Sequence, residues 1–345
     1  MTQLVKPIFI AGDEEKFLNF ISKLKGKICL ISHVADFDGV ASAKITNKIA
    51  NADFLKFVDY TDLNDELIKE LIELNVNKVI LTDLMIKKAE FIKELEKYAD
   101  VLIIDHHTFE KDYNSEKTVF MNAKGYCAAY LCYYLFSKIQ NIEELDWLAA
   151  SASVSDWCYQ ENGKWMKEVY KKYNEDFEGT IEGVKKGKFW EAITKISLSI
   201  IYFRPDVKRV YDEIGENFGE IGGLRKYALE VDKAVNKNLE RFWKEKEEIK
   251  DVYFFEVKSR FSLSGIISTI VSSKMVDKTI LIAEKEDRYY KISARRQDGQ
   301  KDMNAFLKEL CKGMKGADAG GHFKASGGYV LIENRDEFIK RVKDL

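Results

Sequence analysis

The sequence lacks the features that mark secreted and membrane proteins. It has five cysteines in 345 residues and no Cys-x-x-Cys pair, and an odd number of thiols does not indicate a disulfide framework. No apolar run approaches the roughly 20 residues that a membrane-spanning helix needs. No basic segment followed by an apolar one stands at the first residues. We therefore expect a soluble protein of the reducing cytoplasm that does not bind membranes.

Proline and histidine are also scarce. The chain contains only two prolines, so few positions would interrupt a helix. It contains four histidines, His33, His106, His107 and His322. Imidazole is the commonest metal ligand and acid–base group in proteins. Because the side chain is so rare here, the positions of these four residues are informative about chemistry.

Charge is distributed unevenly along the chain. Residues 1–160 contain 18 lysines, no arginine and 25 acidic residues, for a net charge of −7. Residues 161–345 contain 37 basic and 32 acidic residues, for a net charge of +5, and include all ten arginines. Such asymmetry favours different electrostatic roles for the two halves, for example cation binding in one and anion binding in the other.

The first 160 residues predict an α/β domain with a mostly parallel sheet. Short apolar runs that read as strands alternate there with amphipathic helical patterns, as in successive βαβ units. The predicted strands are Lys27–Ser32, Asp53–Val58, Lys78–Thr82 and Val101–Ile104. Ligands of such sheets bind at the carboxyl ends of the strands.

The rest of the chain divides into two further regions. Residues 161–250 are mostly helical and charged, including a long periodic stretch over Leu224–Ile249, and we interpret them as a helical connector or insertion. Residues 251–345 predict a smaller α+β domain in which a glycine-rich loop precedes a strand at Tyr329–Ile332. We expect an active site in the cleft between the N-terminal and C-terminal domains.

Potential metal ligands follow successive predicted elements of the first domain. A single aspartate after a strand is usually a helix cap, but the recurrence at several strand ends is harder to explain that way. Buried carboxylates at one edge of a sheet would repel one another unless cations lay between them. Imidazole with carboxylate suits divalent ions such as Mn²⁺, and the number of ligands permits two ions. These side chains are His33, Asp36, Asp38, Asp83, Asp105, His106, His107 and, after a helix, Asp156.

Two motifs resemble one known family. The segment Ile103-Ile-Asp-His-His107, taken with the other strand-end residues, resembles the DHH family of phosphoesterases. Gly320-Gly-His-Phe-Lys-Ala-Ser-Gly-Gly328 resembles the GGHxxAxGG signature of the DHH-associated C-terminal domain. The resemblance covers about 1–160 and 252–332 and leaves the helical region between them unexplained.

The resemblance implies a dinuclear site with Mn²⁺ preferred and Mg²⁺ as an alternative. It places one ion on His33, Asp36 and Asp83, and the second on Asp38, Asp83, His106 and Asp156. Asp83 would bridge the two ions, Asp105 would orient a ligand imidazole, and His107 would face the scissile phosphate. The implied phosphate-binding residues of the C-terminal domain are Arg295, Asn304, Gly320, Gly321, His322, Gly327 and Gly328.

The family contains several activities, which differ in their substrates. The helical insertion favours a compact, archaeal-type RecJ-like exonuclease acting on single-stranded DNA or RNA, with replication or repair proteins as partners. Aromatic and basic residues of the insertion that could line a nucleic-acid channel are Trp165, Trp190, Tyr202, Phe203, Arg204 and Lys208. One alternative is a phosphoesterase for short oligonucleotides, pAp or cyclic dinucleotides. Another is a replication scaffold without activity, although all six ligand positions are filled. The sequence leaves open the oligomeric state and the strand end from which cleavage would start.

Overall fold

The computed structural model describes residues 3–345, which form two compact units. The first unit extends to Ala228 and the second runs from Leu229 to Leu345. Each unit contains its own six-stranded sheet, and helices accompany both sheets. The predicted mixed α/β class, with a parallel-sheet N-terminal domain and a smaller α+β C-terminal domain, is confirmed.

The sheet of the first unit has the strand order β1-β6-β5-β4-β2-β3. Strands β2 to β6 pair in parallel, whereas β1 joins the edge of β6 in antiparallel orientation. The strands are β1 Phe9–Ala11, β2 Ile28–His33, β3 Phe54–Val58, β4 Lys78–Thr82, β5 Asp100–Asp105 and β6 Thr118–Ala123. The four strands predicted from sequence are β2 to β5, whereas β1 and β6 were not predicted.

Both faces of this sheet are buried, which explains why its central strands are continuous apolar runs. Leu30 and Leu102 belong to one hydrophobic cluster. Ile31 and Ile103, their neighbours in sequence, belong to the cluster on the opposite face. Burying an aliphatic side chain of this size contributes about 1.5–3 kcal/mol. The strands are therefore held rigidly, and so are the side chains at their carboxyl ends.

The helices of the first unit cover the sheet and extend its core into the region predicted as a connector. They are α1 Glu14–Ser22, α2 Phe37–Ala50, α3 Asp65–Glu73, α4 Ala89–Leu95, α5 Ala128–Phe136, α6 Asp146–Ser155, α7 Gly163–Lys172, α8 Ile181–Val184, α9 Gly187–Phe203 and α10 Lys208–Glu213. Trp165 and Phe189 are fully buried in the cluster that also contains α2 and α5. Residues 161–250 are thus shared by the two units, and α11, Leu224–Glu245, includes the division between them.

No helix within residues 3–345 is long and apolar enough to cross a lipid bilayer.

The second unit has the strand order β11-β12-β10-β9-β8-β7. Its elements are β7 Glu247–Ile249, β8 Val252–Val257, α12 Ser264–Lys274, β9 Thr279–Lys285, β10 Tyr289–Arg295, α13 Met303–Cys311, β11 Asp318–His322, β12 Ala325–Leu331 and α14 Arg335–Lys343. The helix predicted to reach Ile249 instead ends at Glu245. Residues 247–249 pair with β8, because strand pairing overrides the modest helix propensity of a Glu-Glu-Ile segment.

The glycine-rich segment predicted as a loop is a β-hairpin, and this prediction was wrong. Strands β11 and β12 pair in antiparallel orientation, with Gly320 opposite Gly327. A Cβ atom on Gly321, whose φ is +152°, would lie 2.5 Å from the carbonyl oxygen of Ala325, and one on Gly328 would lie 2.7 Å from that of Asp318. Glycine has low strand propensity, but here its missing side chain permits the two backbones to pair.

Candidate metal centre

The residues with metal-binding chemistry lie at the carboxyl ends of three adjacent parallel strands. Ser32 of β2 is level with Thr82 of β4, and Thr82 is level with Ile104 of β5. The residues that directly follow Ser32, Thr82 and Ile104 in the chain are His33, Asp83 and Asp105, respectively. Because the register is continuous, these three side chains emerge at one edge of the sheet. The sequence predicted this convergence.

One group of ligand atoms surrounds His33. Its Nδ1 atom lies 3.2 Å from Oδ2 of Asp36 and 3.5 Å from Oδ2 of Asp83. Asp36 is also the N-cap of α2, since its Oδ1 accepts a hydrogen bond from the Gly39 amide at 3.1 Å. The capping role and a role as ligand are therefore compatible, because each uses a different carboxylate oxygen. These three residues are close enough to hold one ion together.

A second group of ligand atoms surrounds His106. Its Nε2 atom lies 3.4 Å from Oδ1 of Asp83 and 3.5 Å from Oδ2 of Asp156. The same nitrogen lies 3.8 Å from Oδ2 of Asp38. The two oxygens of Asp83 thus face different histidines, one toward His33 and the other toward His106. All six predicted ligand positions are brought together within the first unit.

The backbone at Asp83 is adapted to this position. Its φ angle is +57°, a left-handed conformation that costs most non-glycine residues about 1–2 kcal/mol but that aspartate tolerates better than most. The Asp83 amide donates to the carbonyl oxygen of Ile104 at 3.1 Å, so the neighbouring strand holds this turn in place. Strained conformations of this kind cluster at functional sites.

Asp38 has a structural role that sequence reasoning missed. Its side chain is only 2% exposed, and its two oxygens accept hydrogen bonds from the amides of Ala128, at 2.7 Å, and Ala129, at 2.8 Å. These amides begin α5, where free N–H groups and the helix dipole favour an anion. Asp38 therefore joins the first turn of α2 to α5. The contact spans about 90 residues of sequence, so no local pattern could reveal it.

His107 belongs to a hydrogen-bonded chain beside the two ligand groups. Its Nδ1 lies 2.8 Å from Oδ1 of Asp105, and its Nε2 lies 3.3 Å from the hydroxyl of Tyr60. The family resemblance implies that Asp105 orients a ligand imidazole, whereas in the structure its carboxylate pairs with His107. The backbone carbonyl of His107 also accepts a hydrogen bond from the Asn122 side chain at 3.0 Å, which fixes the residue on the strand-end loop.

Tyr60 is a further site residue that the sequence did not identify. Its ring stacks on His33 with 4.5 Å between ring centroids, while its hydroxyl approaches His107 from the other side. The residue follows β3, the strand beside β2 in the sheet. Its position after a strand was therefore an available signal, but tyrosine is not among the imidazole and carboxylate ligands by which the site was predicted.

The crowding of these groups shifts their protonation. Burial lowers the pKa of His33, but the neighbouring carboxylates of Asp36 and Asp83 raise it to about 11. Burial raises the pKa of Asp156 to about 6. Burial, followed by the charges of Asp83 and Asp156, raises the pKa of Asp38 well above its usual value. Without a cation the cluster therefore retains protons, as expected for carboxylates forced together.

The donor set fits divalent cations. Nδ1 of His33 and Oδ2 of Asp83 are buried and lack a hydrogen-bond partner, although an unpaired buried polar group costs about 1–3 kcal/mol. A cation between them would satisfy both atoms. Imidazole nitrogens combined with carboxylate oxygens suit Mn²⁺ and related ions, and a carboxylate shared between two histidine-centred groups suits a pair of ions.

The predicted phosphate-binding residues lie in the second unit. Arg295 and His322 both pair in register with Ala325 of the central strand β12. Directly paired residues project from the same face of a sheet, so these two nitrogen-bearing side chains share one face. The guanidinium of Arg295 is partly buried, and its Nε has no hydrogen-bond partner. Burial lowers its pKa, and an anion bound there would compensate for the lost hydration.

Asn304 and the hairpin glycines are close to these residues in the fold. The amide of Met303, at the start of α13, donates to the carbonyl oxygen of Phe323 in the hairpin turn at 2.8 Å. This contact places Asn304 beside the turn, and its side-chain Oδ1 is buried without a partner. Gly327 pairs with Ser293 and Gly328 with Ile292 of β10. The seven predicted residues thus gather around one hairpin.

The aromatic and basic candidates of residues 161–250 are divided between core and surface. Trp165 is fully buried and packs edge-on against Tyr130 with 4.9 Å between centroids, so it is a core residue. Phe203 is partly exposed and contacts Tyr227 at 4.5 Å between centroids. Arg204, which ends α9, bonds to Oδ2 of Asp59 at 3.1 Å. Asp59 directly precedes Tyr60, so this end of α9 reaches the edge of the candidate centre.

Two family profiles match the sequence. The profile described as the DHH family, N-terminal domain, matches residues 27–154. The profile described as the DHHA1 domain matches residues 253–345. Together they include most of the chain, and the first contains five of the six candidate ligands. A comparison with curated proteins gave no match.

Solved structures share the fold at low sequence identity. RecJ from Thermus thermophilus in complex with Mn²⁺ aligns with a TM-score of 0.70 at 16% identity, over 96% of this chain and 53% of that one. An exonuclease RecJ bound to manganese aligns with a TM-score of 0.69 at 15% identity, over 100% and 95% of the two chains. CDC45 from Entamoeba histolytica aligns with a TM-score of 0.64 at 12% identity, over 96% and 98%. The chain spans about half the length of the Thermus protein.

Proposed function

Since the chain belongs to the DHH family and carries a DHHA1 domain, we propose that it is a metal-dependent phosphodiesterase. More specifically, we propose a single-strand-specific exonuclease that releases nucleoside monophosphates from DNA or RNA. One observation carries the proposal. The carboxylate of Asp83 lies between two histidine-centred ligand groups, with one oxygen 3.5 Å from His33 and the other 3.4 Å from His106.

We assign the ligands as two overlapping sets. His33, Asp36 and Asp83 would hold one ion, and Asp38, Asp83, His106 and Asp156 would hold the other. When bound, two divalent ions neutralise phosphate charge and lower the pKa of water to near neutrality. Mn²⁺ is the preferred ion of this proposal, supported by the manganese-bound RecJ structures of the same fold. Mg²⁺ is the alternative.

His107 is the proton donor of the proposed reaction. Burial lowers its pKa, but the Asp105 carboxylate more than compensates and the net shift is upward. An imidazolium at neutral pH can donate its Nε2 proton to a departing oxygen, and a positioned acid of this kind contributes about 10²–10⁴-fold in rate. Asp105 accepts the Nδ1 hydrogen bond and so keeps Nε2 directed away from β5.

The second unit would bind the substrate phosphates. The Arg295 guanidinium and the His322 imidazole supply hydrogen-bond donors on one face of the β11-β12-β10 ladder, and the hairpin glycines allow backbone amides to approach an anion closely. This assignment agrees with the net positive charge of residues 161–345. Single-stranded nucleic acid is the substrate of the proposal, with replication or repair proteins as its partners.

End-labelled oligonucleotides test the substrate. The metal-free protein is incubated with Mn²⁺ and single-stranded 20-mers or 3-mers of DNA and RNA, labelled at either end. The proposal predicts stepwise loss of the 20-mers to mononucleotides, and the label position gives the polarity. Survival of the 20-mers with loss of the 3-mers would replace the exonuclease by a phosphoesterase for short substrates. No hydrolysis of any substrate would favour a scaffold.

The variant Asp83→Asn tests the metal centre. Asparagine also tolerates the left-handed conformation that position 83 requires, so the variant should fold while losing the shared negative charge. We expect activity to fall by at least about 10³-fold, since both ions depend on this carboxylate. Wild-type activity in Asp83→Asn, with equal Mn²⁺ content, would refute the dinuclear centre.

A further inference from the structure

A thiol lies beside the second group of candidate ligands. The Sγ atom of Cys158 is 3.3 Å from Oδ2 of Asp156. Ligand atoms of His106, Asp156 and Cys158 all lie within 4.8 Å of one another. Atoms bound to the same tetrahedral ion are typically about 3–4 Å apart, given bond lengths near 2.0–2.3 Å. The three ligand atoms are therefore close enough that small side-chain movements would place them on a common ion.

The end of helix α6 explains why the thiol and the carboxylate converge. The amide of Cys158 donates to the Ser153 carbonyl at 2.8 Å, and that of Trp157 donates to the Val154 carbonyl at 3.2 Å. This is a Schellman motif, in which the residue after the C-cap is left-handed. Trp157 occupies that position with φ +57° instead of the usual glycine. The turn reverses the chain and brings Cys158 back toward the C-cap residue Asp156.

Cys158 differs from the other thiols of the described chain. Cys29, Cys127, Cys132 and Cys311 are buried, whereas Cys158 is partly exposed. The buried thiols behave as small apolar side chains. Cys158 alone, among residues 3–345, combines access to solvent with proximity to imidazole and carboxylate ligands.

An observation independent of the thiol indicates that a cation belongs here. The Asp83 side chain is 2% exposed, and its Oδ1 lies 3.4 Å from Nε2 of His106. Its other oxygen, Oδ2, faces His33 in the neighbouring ligand group, where it is buried without a hydrogen-bond partner. Asp38, also 2% exposed, lies 3.8 Å from the same nitrogen. Two buried carboxylates directed at one imidazole are stabilised by positive charge, which a cation held between these side chains would supply.

We propose that Cys158 is a thiolate ligand on the His106 side of the centre. It would give that side an affinity for thiophilic divalent cations, Zn²⁺ and Co²⁺, that an all-nitrogen-and-oxygen set lacks. The inference rests on the metal centre of the proposed function. Coordination replaces the S–H bond by a metal–sulfur bond, and the proton leaves to the buffer, so that no redox partner is needed.

Cobalt absorption tests this assignment directly. Co²⁺ is titrated into the metal-free 345-residue chain, into Cys158→Ser and into the control Cys311→Ser, whose thiol lies in α13 of the second unit. A thiolate ligand produces a near-ultraviolet sulfur-to-cobalt charge-transfer band in addition to the visible bands of Co²⁺. We expect this band in the wild type and in Cys311→Ser, and its loss in Cys158→Ser with the visible bands retained.

The outcomes separate this inference from the proposed function. Visible bands without the charge-transfer band in the wild type would overturn the thiolate ligand and leave the metal centre intact. Absence of any Co²⁺ binding would overturn both. Persistence of the charge-transfer band in Cys158→Ser would assign it to another thiol and refute the inference. We also expect Cys158→Ser to lose at least about tenfold in Zn²⁺ affinity and less than about threefold in Mn²⁺ affinity.

A measurement on the wild type keeps the inference testable if the variant does not fold. The metal-free protein is alkylated with iodoacetamide, and the peptide containing Cys158 is followed by mass spectrometry. Saturating Zn²⁺ should slow the alkylation of Cys158 by at least about tenfold, because a ligating thiolate is not free to react. Alkylation at an unchanged rate in saturating Zn²⁺ would refute the proposal.

Discussion

Asp105 and His107 form a hydrogen bond in which Oδ1 of the carboxylate lies 2.8 Å from Nδ1 of the imidazole. The two residues are separated by one position, yet they are not neighbours on a regular strand, because β5 ends at Asp105. The turn after the strand brings the imidazole back over the carboxylate. His106, between them, faces the carboxylates of Asp83 and Asp156 instead. The triplet thus supplies one candidate metal ligand, His106, and one hydrogen-bonded carboxylate–imidazole pair.

The first prediction concerns this hydrogen bond. Asp105→Asn should lower kcat by about 10²–10⁴-fold, because an amide can neither stabilise the imidazolium nor hold its tautomer. Manganese content, measured by atomic emission after gel filtration, should equal that of the wild type. The matched control is Asp100→Asn at the start of the same strand, which should retain full activity. Loss of manganese in Asp105→Asn would show that Asp105 is itself a ligand.

The second prediction separates the two contacts of Tyr60. Tyr60→Phe keeps the ring stacked on His33 but removes the hydroxyl near His107. Because that hydroxyl oxygen can accept the Nε2 hydrogen bond of the imidazolium, its loss should lower the pKa of His107. The alkaline limb of the kcat–pH profile should therefore move to lower pH, with Mn²⁺ affinity unchanged.

Tyr60→Ala removes the ring as well and should also weaken Mn²⁺ binding, because His33 loses its stacking partner. Calorimetric titration with Mn²⁺ compares the two variants. If Tyr60→Phe loses as much Mn²⁺ affinity as Tyr60→Ala, then the hydroxyl rather than the ring supports the metal centre, and the division of roles is wrong.

The third prediction tests Asp38 as the hydrogen-bond acceptor of the first amides of α5. Asp38→Ala leaves the buried amides of Ala128 and Ala129 without acceptors, at about 1–3 kcal/mol for each group. Asp156→Ala removes a carboxylate from the same cluster without orphaning an amide, so it controls for the relief of charge repulsion. Urea unfolding of the metal-free proteins should place Asp38→Ala about 2–6 kcal/mol below Asp156→Ala. Equal stabilities would contradict the capping role.

The fourth prediction concerns metal removal and pH. The pKa of Asp156 is raised to about 6, above the ordinary carboxyl value, so the stability that its neutral form contributes is present at low pH and is lost as pH rises through about 6. Chelation should therefore lower Tm more at pH 8 than at pH 5. At a Mn²⁺ concentration about 100-fold above Kd, binding should add about 2.7 kcal/mol.

Proton release provides a second measurement of the same linkage. The pKa of His33 is raised to about 11 without metal, so at pH 8 a binding cation must displace a proton. Calorimetry in two buffers with different ionisation enthalpies counts the protons released. Mn²⁺ binding without proton release at pH 8, or a Tm loss on chelation that is larger at pH 5, would contradict this account.

The fifth prediction tests the second unit. Arg295→Ala should raise KM about tenfold or more, because a charge-assisted hydrogen bond to phosphate is worth about 1.5–3 kcal/mol. Manganese content should stay unchanged. Lys308→Ala, in the exposed part of α13, is the control and should leave KM unchanged. An Arg295→Ala variant with wild-type KM would remove this residue from the substrate site.

The candidate centre was largely predictable because each ligand position follows the end of a strand or helix. Residues at the carboxyl ends of adjacent parallel strands must meet, so His33, Asp83 and His106 could be grouped from local patterns alone. The glycine-rich hairpin was misjudged for the opposite reason. Its glycines have low strand propensity, and only pairing with β10 on one side makes the segment a strand. Likewise, β6 was recognisable only through its partners β5 and β1.

The sequence by itself determined the parallel sheet, the acidic strand ends and the family motifs, since each depends on residues close together in the chain. Only the tertiary structure decided that Asp38 caps α5, that Asp105 pairs with His107, that Tyr60 touches both His33 and His107, and that Cys158 turns back toward Asp156. Those relationships depend on turn conformations and on packing between distant elements, whose energies arise only when the whole domain has assembled.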